Sequence, residues 1–181
     1  MIILGIETSC DDTGISIIRV SGKQKPRFEM LSNVVSSQIK THAPFGGVVP
    51  NLAAREHLKN IEPCLKTALS EAKIKMPEVD LIAVTYGPGL IPSLLIGVHF
   101  AKALAYKYKK SLIGINHIEA HILASIFNLQ FSISKNLFSA IALVVSGGHT
   151  QLVLMKSHLQ YEIIGQTLDD AVGEAFDKVA R

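Results

Sequence analysis

Two histidines in the segment NHIEAHILA (residues 116–124) have the spacing of a metal-binding pair. His117 and His121 are about one helical turn apart, so on a helix both imidazoles lie on one face and can share a metal ion. The zinc-protease motif HExxH is similar, but there the glutamate follows the first histidine directly. Here Glu119 comes two residues after His117, about 200° around the helix, where it cannot easily activate a metal-bound water. The segment therefore argues against a metalloprotease. Two interpretations stay open: the two histidines bind one metal ion, or one of them caps the helix and the other is exposed to solvent.

Two polar turns interrupt apolar segments at corresponding places in the two halves of the chain. The first turn carries four small polar or acidic side chains: Glu7, Ser9, Asp11 and Asp12. In the second, Gly147 and Gly148 let the backbone turn at positive φ and direct successive N–H groups into one concavity, which binds anions such as phosphate. Ser146, His149 and Thr150 add side-chain donors there. Either turn alone could be a tight hairpin with a polar tip, but the pair favours a nucleotide clamped between two lobes.

The segment TLDDAVGEAFDKVAR at the end of the sequence holds a third group of carboxylates. Asp169 and Asp170 are typical of a helix N-terminus, where they interact favourably with unpaired N–H groups. Glu174 and Asp177 are three residues apart in the predicted helix. They either face solvent or, because they follow the second turn closely, contact a nucleotide.

Composition and charge limit the classes of protein that this sequence can represent. Of 181 residues, 48% are hydrophobic and 18% charged, which favours a folded core over disorder. A net charge of +3 permits a nucleic-acid binder but does not indicate one. The two cysteines fit neither a disulfide framework nor a Cys-x-x-Cys metal site, which favours a reducing compartment. There is no secretory signal pattern, and polar residues and Pro92 interrupt the apolar run 90–105, so we expect a cytoplasmic protein without a membrane span.

Hydrophobic periodicity predicts strands and helices in the order βββαβαβα, followed by βββα. The predicted strands are residues 2–6, 14–20, 28–35, 81–85, 112–115, 141–145, 152–155 and 161–164. The predicted helices are residues 52–73, 90–108, 118–127 and 168–179. Pro63 is expected to kink or divide the first helix. The last helix is expected to bury one side, consisting of Leu168, Val172, Ala175, Phe176 and Val179.

This order is that of a duplicated α/β protein rather than of a simple doubly wound sheet. Residues 1–137 form the first predicted lobe, and residues 138–181 form the start of a second one. No glycine or asparagine ends the helical pattern near Arg181, so we expect the second lobe to be truncated and the chain to be a fragment.

Six segments together resemble the family of tRNA threonylcarbamoyladenosine transferases: GIETSCDDTG, GGVVPNLAAREH, GPGL, NHIEAH, VSGGHTQL and DDAVGEAFDK. The resemblance extends over the whole chain in order, and the motifs are jointly specific. It implies an actin-like ATPase fold, related to ribonuclease H, with a complete first lobe and a truncated second lobe. It also implies an acyltransferase that moves a threonylcarbamoyl group from threonylcarbamoyl-AMP, made with ATP, to the N6 amine of the tRNA adenosine 3′ of the anticodon.

The resemblance assigns roles to individual residues. His117 and His121 match two ligands of an iron or zinc site. Substrate binding is implied for Val144, Val145, Ser146, Gly147, Gly148, His149 and Asp177. Ser9, Asp11 and Asp12 match a segment that borders the active site, and are candidate catalytic residues. Val144 and His149 occupy positions where the archaeal branch has tyrosine and asparagine, which indicates a bacterial or mitochondrial member.

The resemblance also implies partners: tRNA as substrate, a TsaB-like paralogue of the same fold and a TsaE-like ATPase. The helix predicted at 90–108 is apolar on more than one face. We expect one face to contact the paralogue, the alternative being that the helix is central within its own lobe. In the family the second lobe supplies an aspartate to the metal, so residues 1–181 alone are expected to be inactive. Two alternatives remain: a non-catalytic paralogue that only binds, and a kinase or chaperone-like ATPase of the same fold.

Overall fold

The computed structural model describes residues 1–22, 26–128, 138–146 and 150–180, without the side chains of 127, 128 and 177. The chain divides into two compact units, Met1–His117 and Ile118–Arg181. The lobe boundary predicted between residues 137 and 138 adjoins the segment 129–137, which lies outside the described residues, so it stays a prediction.

A five-stranded sheet forms the centre of the first unit, in the order β3-β2-β1-β4-β5. Strands β1 to β3 form an antiparallel meander, and β4 and β5 add in parallel to β1. Its strands are β1 Ile2–Glu7, β2 Asp12–Ser21, β3 Arg27–Ser37, β4 Leu81–Gly87 and β5 Ser111–Asn116. The predicted meander with two crossovers is therefore confirmed. Each crossover contains a long helix, as parallel pairing requires a long connection.

The helices of this unit follow the predicted pattern with small shifts at their ends. A short helix α1, Ile39–His42, precedes α2, Pro50–Ala72, and α3 covers Ile91–Tyr108. Pro63 lies inside α2 and does not divide it, so the expectation that it could split the helix in two is wrong. A long, packed helix tolerates the loss of one N–H donor. None of the helices in the described ranges is long and apolar enough to cross a membrane.

Alternating apolar residues of the sheet and one side of each long helix form the core of the first unit. Burial of each large side chain contributes about 1.5–3 kcal/mol, which explains why the period-2 and period-3.6 patterns located these elements. The buried cluster includes Leu4, Ile6, Ile15, Ile17, Ile61, Leu65, Ala68, Ile82, Val84 and Ala101.

Two glycines allow the turn after β1 to approach α3 closely. A Cβ on Gly97 would lie 2.3 Å from Thr8 Oγ1, and one on Gly89 would lie 2.5 Å from the carbonyl oxygen of Ser9. Both distances are far below van der Waals contact. The contact between this turn and the start of α3 therefore requires glycine at both positions.

The second unit contains a three-stranded antiparallel sheet, β6 Ala140–Val145, β7 Thr150–Ser157 and β8 Gln160–Gln166, as predicted. One face of the sheet packs against helix α4, His117–Asn128, whose first residue belongs to the first unit. The small core there consists of Ile122, Val144, Val153 and Met155.

The last helix, α5, covers Val172–Ala180 and not the predicted 168–179. The Thr150 hydroxyl accepts a hydrogen bond from the Val172 N–H (2.8 Å), so the helix begins at that point. Thr167 instead donates to the carbonyl of Asp170 within a turn (2.9 Å), and Leu168 is 98% exposed. Asp169 and Asp170 thus precede the helix.

The predicted burial of the apolar side of α5 is also wrong for the described structure. Val172, Phe176 and Val179 are exposed, as is Ala175. The apolar periodicity correctly indicated a helix, but periodicity alone does not say which element covers it.

We predict that Gly97→Ala destabilises the protein by about 1–2 kcal/mol, although alanine is the better helix former by about 1 kcal/mol. The added methyl group must displace the Thr8 side chain, whose hydroxyl donates to the Ser93 carbonyl (2.9 Å). Urea unfolding measures the change, with Ala103→Ser on the exposed side of the same helix as control. Equal stability of Gly97→Ala and wild type would contradict the packing argument.

Candidate functional site

The carboxyl ends of the three parallel strands bring Glu7, Thr85 and His117 together. Glu7 ends β1, Thr85 lies near the end of β4, and His117 follows β5 directly. Thr85 Oγ1 donates to Glu7 Oε2 (2.6 Å), and His117 Nδ1 lies 3.1 Å from the same oxygen. This edge is where open α/β sheets usually bind ligands.

Glu7 is a half-buried carboxylate that accepts several hydrogen bonds. Its second oxygen, Oε1, accepts the backbone N–H of Ser9. Burial by itself would raise the pKa of Glu7, but the hydrogen bonds from His117, Ser9 and Thr85 outweigh it and lower the pKa to about 2. Glu7 is therefore ionised at neutral pH and acts only as an acceptor.

Ser9, predicted as a site residue, does contact one of the two predicted metal ligands. Its hydroxyl lies 3.2 Å from His117 Nδ1. The carbonyl oxygen of Ser9 accepts the N–H of Leu90 (2.7 Å), which attaches the turn to the start of α3. Ser9 is buried, so these bonds hold it in one position.

His57 of α2, which was not among the predicted site residues, is fully buried behind the first turn. Its Nε2 lies 3.0 Å from the Cys10 carbonyl, which can only accept, so Nε2 carries the proton. Burial lowers the pKa of His57, so the ring is neutral and its Nδ1 accepts the Thr13 hydroxyl (2.7 Å). His57 thus holds the turn at both ends. Its position in the quoted segment GGVVPNLAAREH was the signal that could have identified it.

A second missed group supports the other side of the same turn. The Gln38 N–H donates to the Asp11 carbonyl (3.1 Å), and the Gln38 side chain contacts Ala53 and His42. Gln38 and His42 are both buried. Asp11 itself is half-buried and Asp12 exposed, so both predicted residues lie at the surface of a firmly supported turn.

His117 has one ring nitrogen, Nδ1, on the side of Glu7 and Ser9. Because Nδ1 faces Glu7 and Ser9, Nε2 is the nitrogen that would bind a metal, a common arrangement at metal sites. His121 lies four residues further along α4, and its side chain is exposed. Within the described ranges, no three His, Cys, Asp or Glu residues are grouped to hold a metal. Two histidines leave such a site incomplete.

The remaining predicted residues belong to the second unit. Val144 is buried in its core, and Val145 is exposed at the end of β6. The carbonyl of Ser146 accepts the N–H of Gly173 (3.3 Å), which connects the second turn to α5. Gly147, Gly148 and His149 lie outside the described residues, as does the side chain of Asp177. Their roles stay predictions.

Glu119 lies beside Tyr161 of β8. Burial and the Glu119 carboxylate together raise the pKa of Tyr161 to about 12.

Comparison with known proteins gives one family. Residues 29–181 match the family described as "TsaD: tRNA N6-adenosine threonylcarbamoyltransferase". A relative of the same description from Persephonella marina is 56% identical over 181 residues, which cover all of this chain and 49% of the relative. One from Staphylococcus haemolyticus is 52% identical over 180 residues, 99% of this chain and 49% of the relative. The chain thus spans about half the length of the curated relatives that it matches.

Solved structures show the fold. YeaZ from Pseudomonas aeruginosa superposes with a TM-score of 0.53 at 15% identity, covering 92% of this chain and 68% of that one. A protein described as similar to peptidase YEAZ, also from Pseudomonas aeruginosa, gives 0.54 at 16% identity, covering 91% and 63%. The predicted actin-like α/β fold is confirmed.

We predict that His57→Leu lowers the free energy of unfolding by about 2–6 kcal/mol. The leucine fills much of the space but leaves the Cys10 carbonyl and the Thr13 hydroxyl without their partner, at about 1–3 kcal/mol each. Urea unfolding measures the loss, with His99→Leu on the exposed side of α3 as control. A change within about 0.5 kcal/mol for His57→Leu would show that the turn does not depend on it.

Proposed function

Because the chain belongs to the TsaD family of tRNA N6-adenosine threonylcarbamoyltransferases, we propose that the protein transfers a threonylcarbamoyl group to tRNA. The donor is threonylcarbamoyl-AMP, and the acceptor is the N6 amine of the adenosine 3′ of the anticodon. The observation that carries this proposal is the family match over residues 29–181. The Glu7–Ser9–His117 cluster at the carboxyl ends of the sheet supports it, since it lies where such folds bind ligands.

The chemistry requires positioning more than a protein nucleophile. The N6 nitrogen forms a bond to the carbamoyl carbon, the bond from this carbon to the phosphate oxygen breaks, and AMP leaves while the amine gives up a proton. Since the mixed anhydride is already activated, orienting the two reactants supplies much of the acceleration. We assign contact with the reacting groups to the first turn, with Ser9, Asp11 and Asp12. We assign binding of the adenylate to residues 144–149 and Asp177.

His117 and His121 are the residues that would hold the metal, with iron and zinc both compatible with imidazole. The hydrogen bonds of His117 Nδ1 fit this role, as does the position of His121 on the same helix. When bound, a metal would polarise the oxygen that gains charge in the transfer, as a Lewis acid. The ligands still lacking would come from substrate, water or the part of the family sequence beyond this chain.

We further propose that α3 contacts a TsaB-like paralogue of the same fold, with a TsaE-like ATPase joining the complex. Ile91 and Leu95 of α3 are 72% and 48% exposed, and Leu58 of α2 is 66% exposed. A cavity of about 290 Å³ lies between these helices. An exposed apolar strip along two adjacent helices is typical of a helix-to-helix interface. Leu94, by contrast, faces the interior.

We predict that the double variant His117→Ala, His121→Ala loses both the metal and threonylcarbamoyl transfer in the full-length protein. The variant removes both imidazole ligands that this chain is proposed to offer the metal ion. Metal content is measured by elemental analysis and transfer by the modified nucleoside in digested tRNA. His158→Ala, a histidine in the turn between β7 and β8, is the control. Stoichiometric metal in the double variant would refute the ligand assignment, and absence of transfer by the wild type would refute the function.

We predict that Leu95→Glu prevents co-purification of the paralogue without unfolding the protein. A carboxylate on this half-exposed position costs little in the free chain but would be buried without a partner charge in the complex. Met30→Glu on β3 is a matched control, since Met30 is 47% exposed and lies on the far edge of the sheet. An undiminished complex with folded Leu95→Glu would place the interface elsewhere.

A further inference from the structure

The Glu7 carboxylate has a fixed pattern of donors. Oε1 faces the backbone N–H of Ser9, which can donate a hydrogen bond but cannot accept one. Oε2 receives the Thr85 hydroxyl at 2.6 Å and lies 3.1 Å from His117 Nδ1. Oε1 therefore accepts from the turn after β1, and Oε2 contacts residues of β4 and α4.

This pattern determines which nitrogen of His117 carries a proton. An ionised carboxylate offers only lone pairs, so the contact at 3.1 Å is a hydrogen bond only if Nδ1 bears hydrogen. In the neutral imidazole, Nε2 then holds the lone pair. The Ser9 hydroxyl at 3.2 Å from Nδ1 accommodates this state because a hydroxyl can also accept.

We propose that Glu7 is the positioning residue that sets the tautomer of His117, so that Nε2 is the nitrogen offered to a metal. The tautomer itself follows from the contacts of the first unit. Its consequence for metal binding rests on the proposed function. Residues that orient a metal ligand from behind in this way commonly change metal affinity by about 10–100-fold.

Glu7→Gln tests the proposal because glutamine has nearly the same size as glutamate but replaces one accepting oxygen with a donating NH₂ group. The Ser9 N–H requires an acceptor, so the amide oxygen takes the place of Oε1. The amide NH₂ then faces His117 Nδ1, which must accept, and the proton moves to Nε2. In serine proteases the same exchange of carboxylate for amide keeps the geometry but gives the wrong histidine tautomer.

The first measurement is the ring ¹⁵N spectrum of metal-free protein labelled at histidine, at a pH where the imidazoles are neutral. We expect His117 to be protonated at Nδ1 in the wild type and at Nε2 in Glu7→Gln. Glu119→Gln, two residues along α4 from His117, is the matched control and should leave the His117 tautomer unchanged. The Nδ1-protonated tautomer in Glu7→Gln would overturn the proposal.

The second measurement is zinc affinity of the full-length protein by competition with a chelator, without tRNA. We expect a loss of about 10–100-fold in Glu7→Gln and wild-type affinity in Glu119→Gln. Thr85→Val removes one donor to Glu7 but keeps the Glu7 charge, so it should retain the wild-type tautomer of His117. A loss of zinc affinity in Thr85→Val as large as that in Glu7→Gln would show that loosening of the site, and not the tautomer, causes the loss. Inversion of the tautomer without loss of affinity would overturn the link to the metal. A wild type that binds no zinc or iron refutes the metal assignment of the proposed function, while the ring spectra still decide the role of Glu7.

Discussion

The half-buried charge of Glu7 is the constraint around which the first unit's site is arranged. A carboxylate that is partly removed from water must replace the lost water with other donors, and here donors come from three separate elements. These donors lie after β1, in β4 and at the start of α4. A single residue thus connects the carboxyl ends of all three parallel strands. Its hydrogen bonds fix the positions of Thr85 and His117, while Glu7 and His117 stay partly exposed to solvent.

The turn after β1 is held from two further sides. His57 of α2 bonds to Cys10 and Thr13, and the beginning of α3 bonds to Thr8 and Ser9. Most of the polar groups in these contacts are buried and hydrogen-bonded, which gives the turn a fixed geometry. Such a turn loses little conformational freedom when a ligand binds, and this favours accurate positioning of reactants. The polar residues at its surface, Asp11 and Asp12, are therefore presented on a rigid support.

The elements of both units were predictable because their signals are local. Period-2 apolar alternation located the strands, and period-3.6 repeats located α2 and α3, with errors of a few residues at the ends. The start of α5 was mispredicted because it depends on Thr150, which is 22 residues away in sequence. Continuity at Pro63 likewise depends on packing of the whole helix. Contacts between distant residues do not leave a periodic signal.

The sequence by itself determined the duplicated α/β order, the histidine spacing of His117 and His121 and, through its motifs, the family. All of these depend on residue type and short-range spacing. Only the tertiary structure decided that Glu7 and His117, 110 residues apart, share a hydrogen bond, and that His57 supports the turn from behind. Parallel strands joined by helical crossovers bring residues together at one edge of the sheet that are far apart along the chain. The pairing of side chains at that edge therefore follows from strand order and register, which no local pattern of the sequence contains.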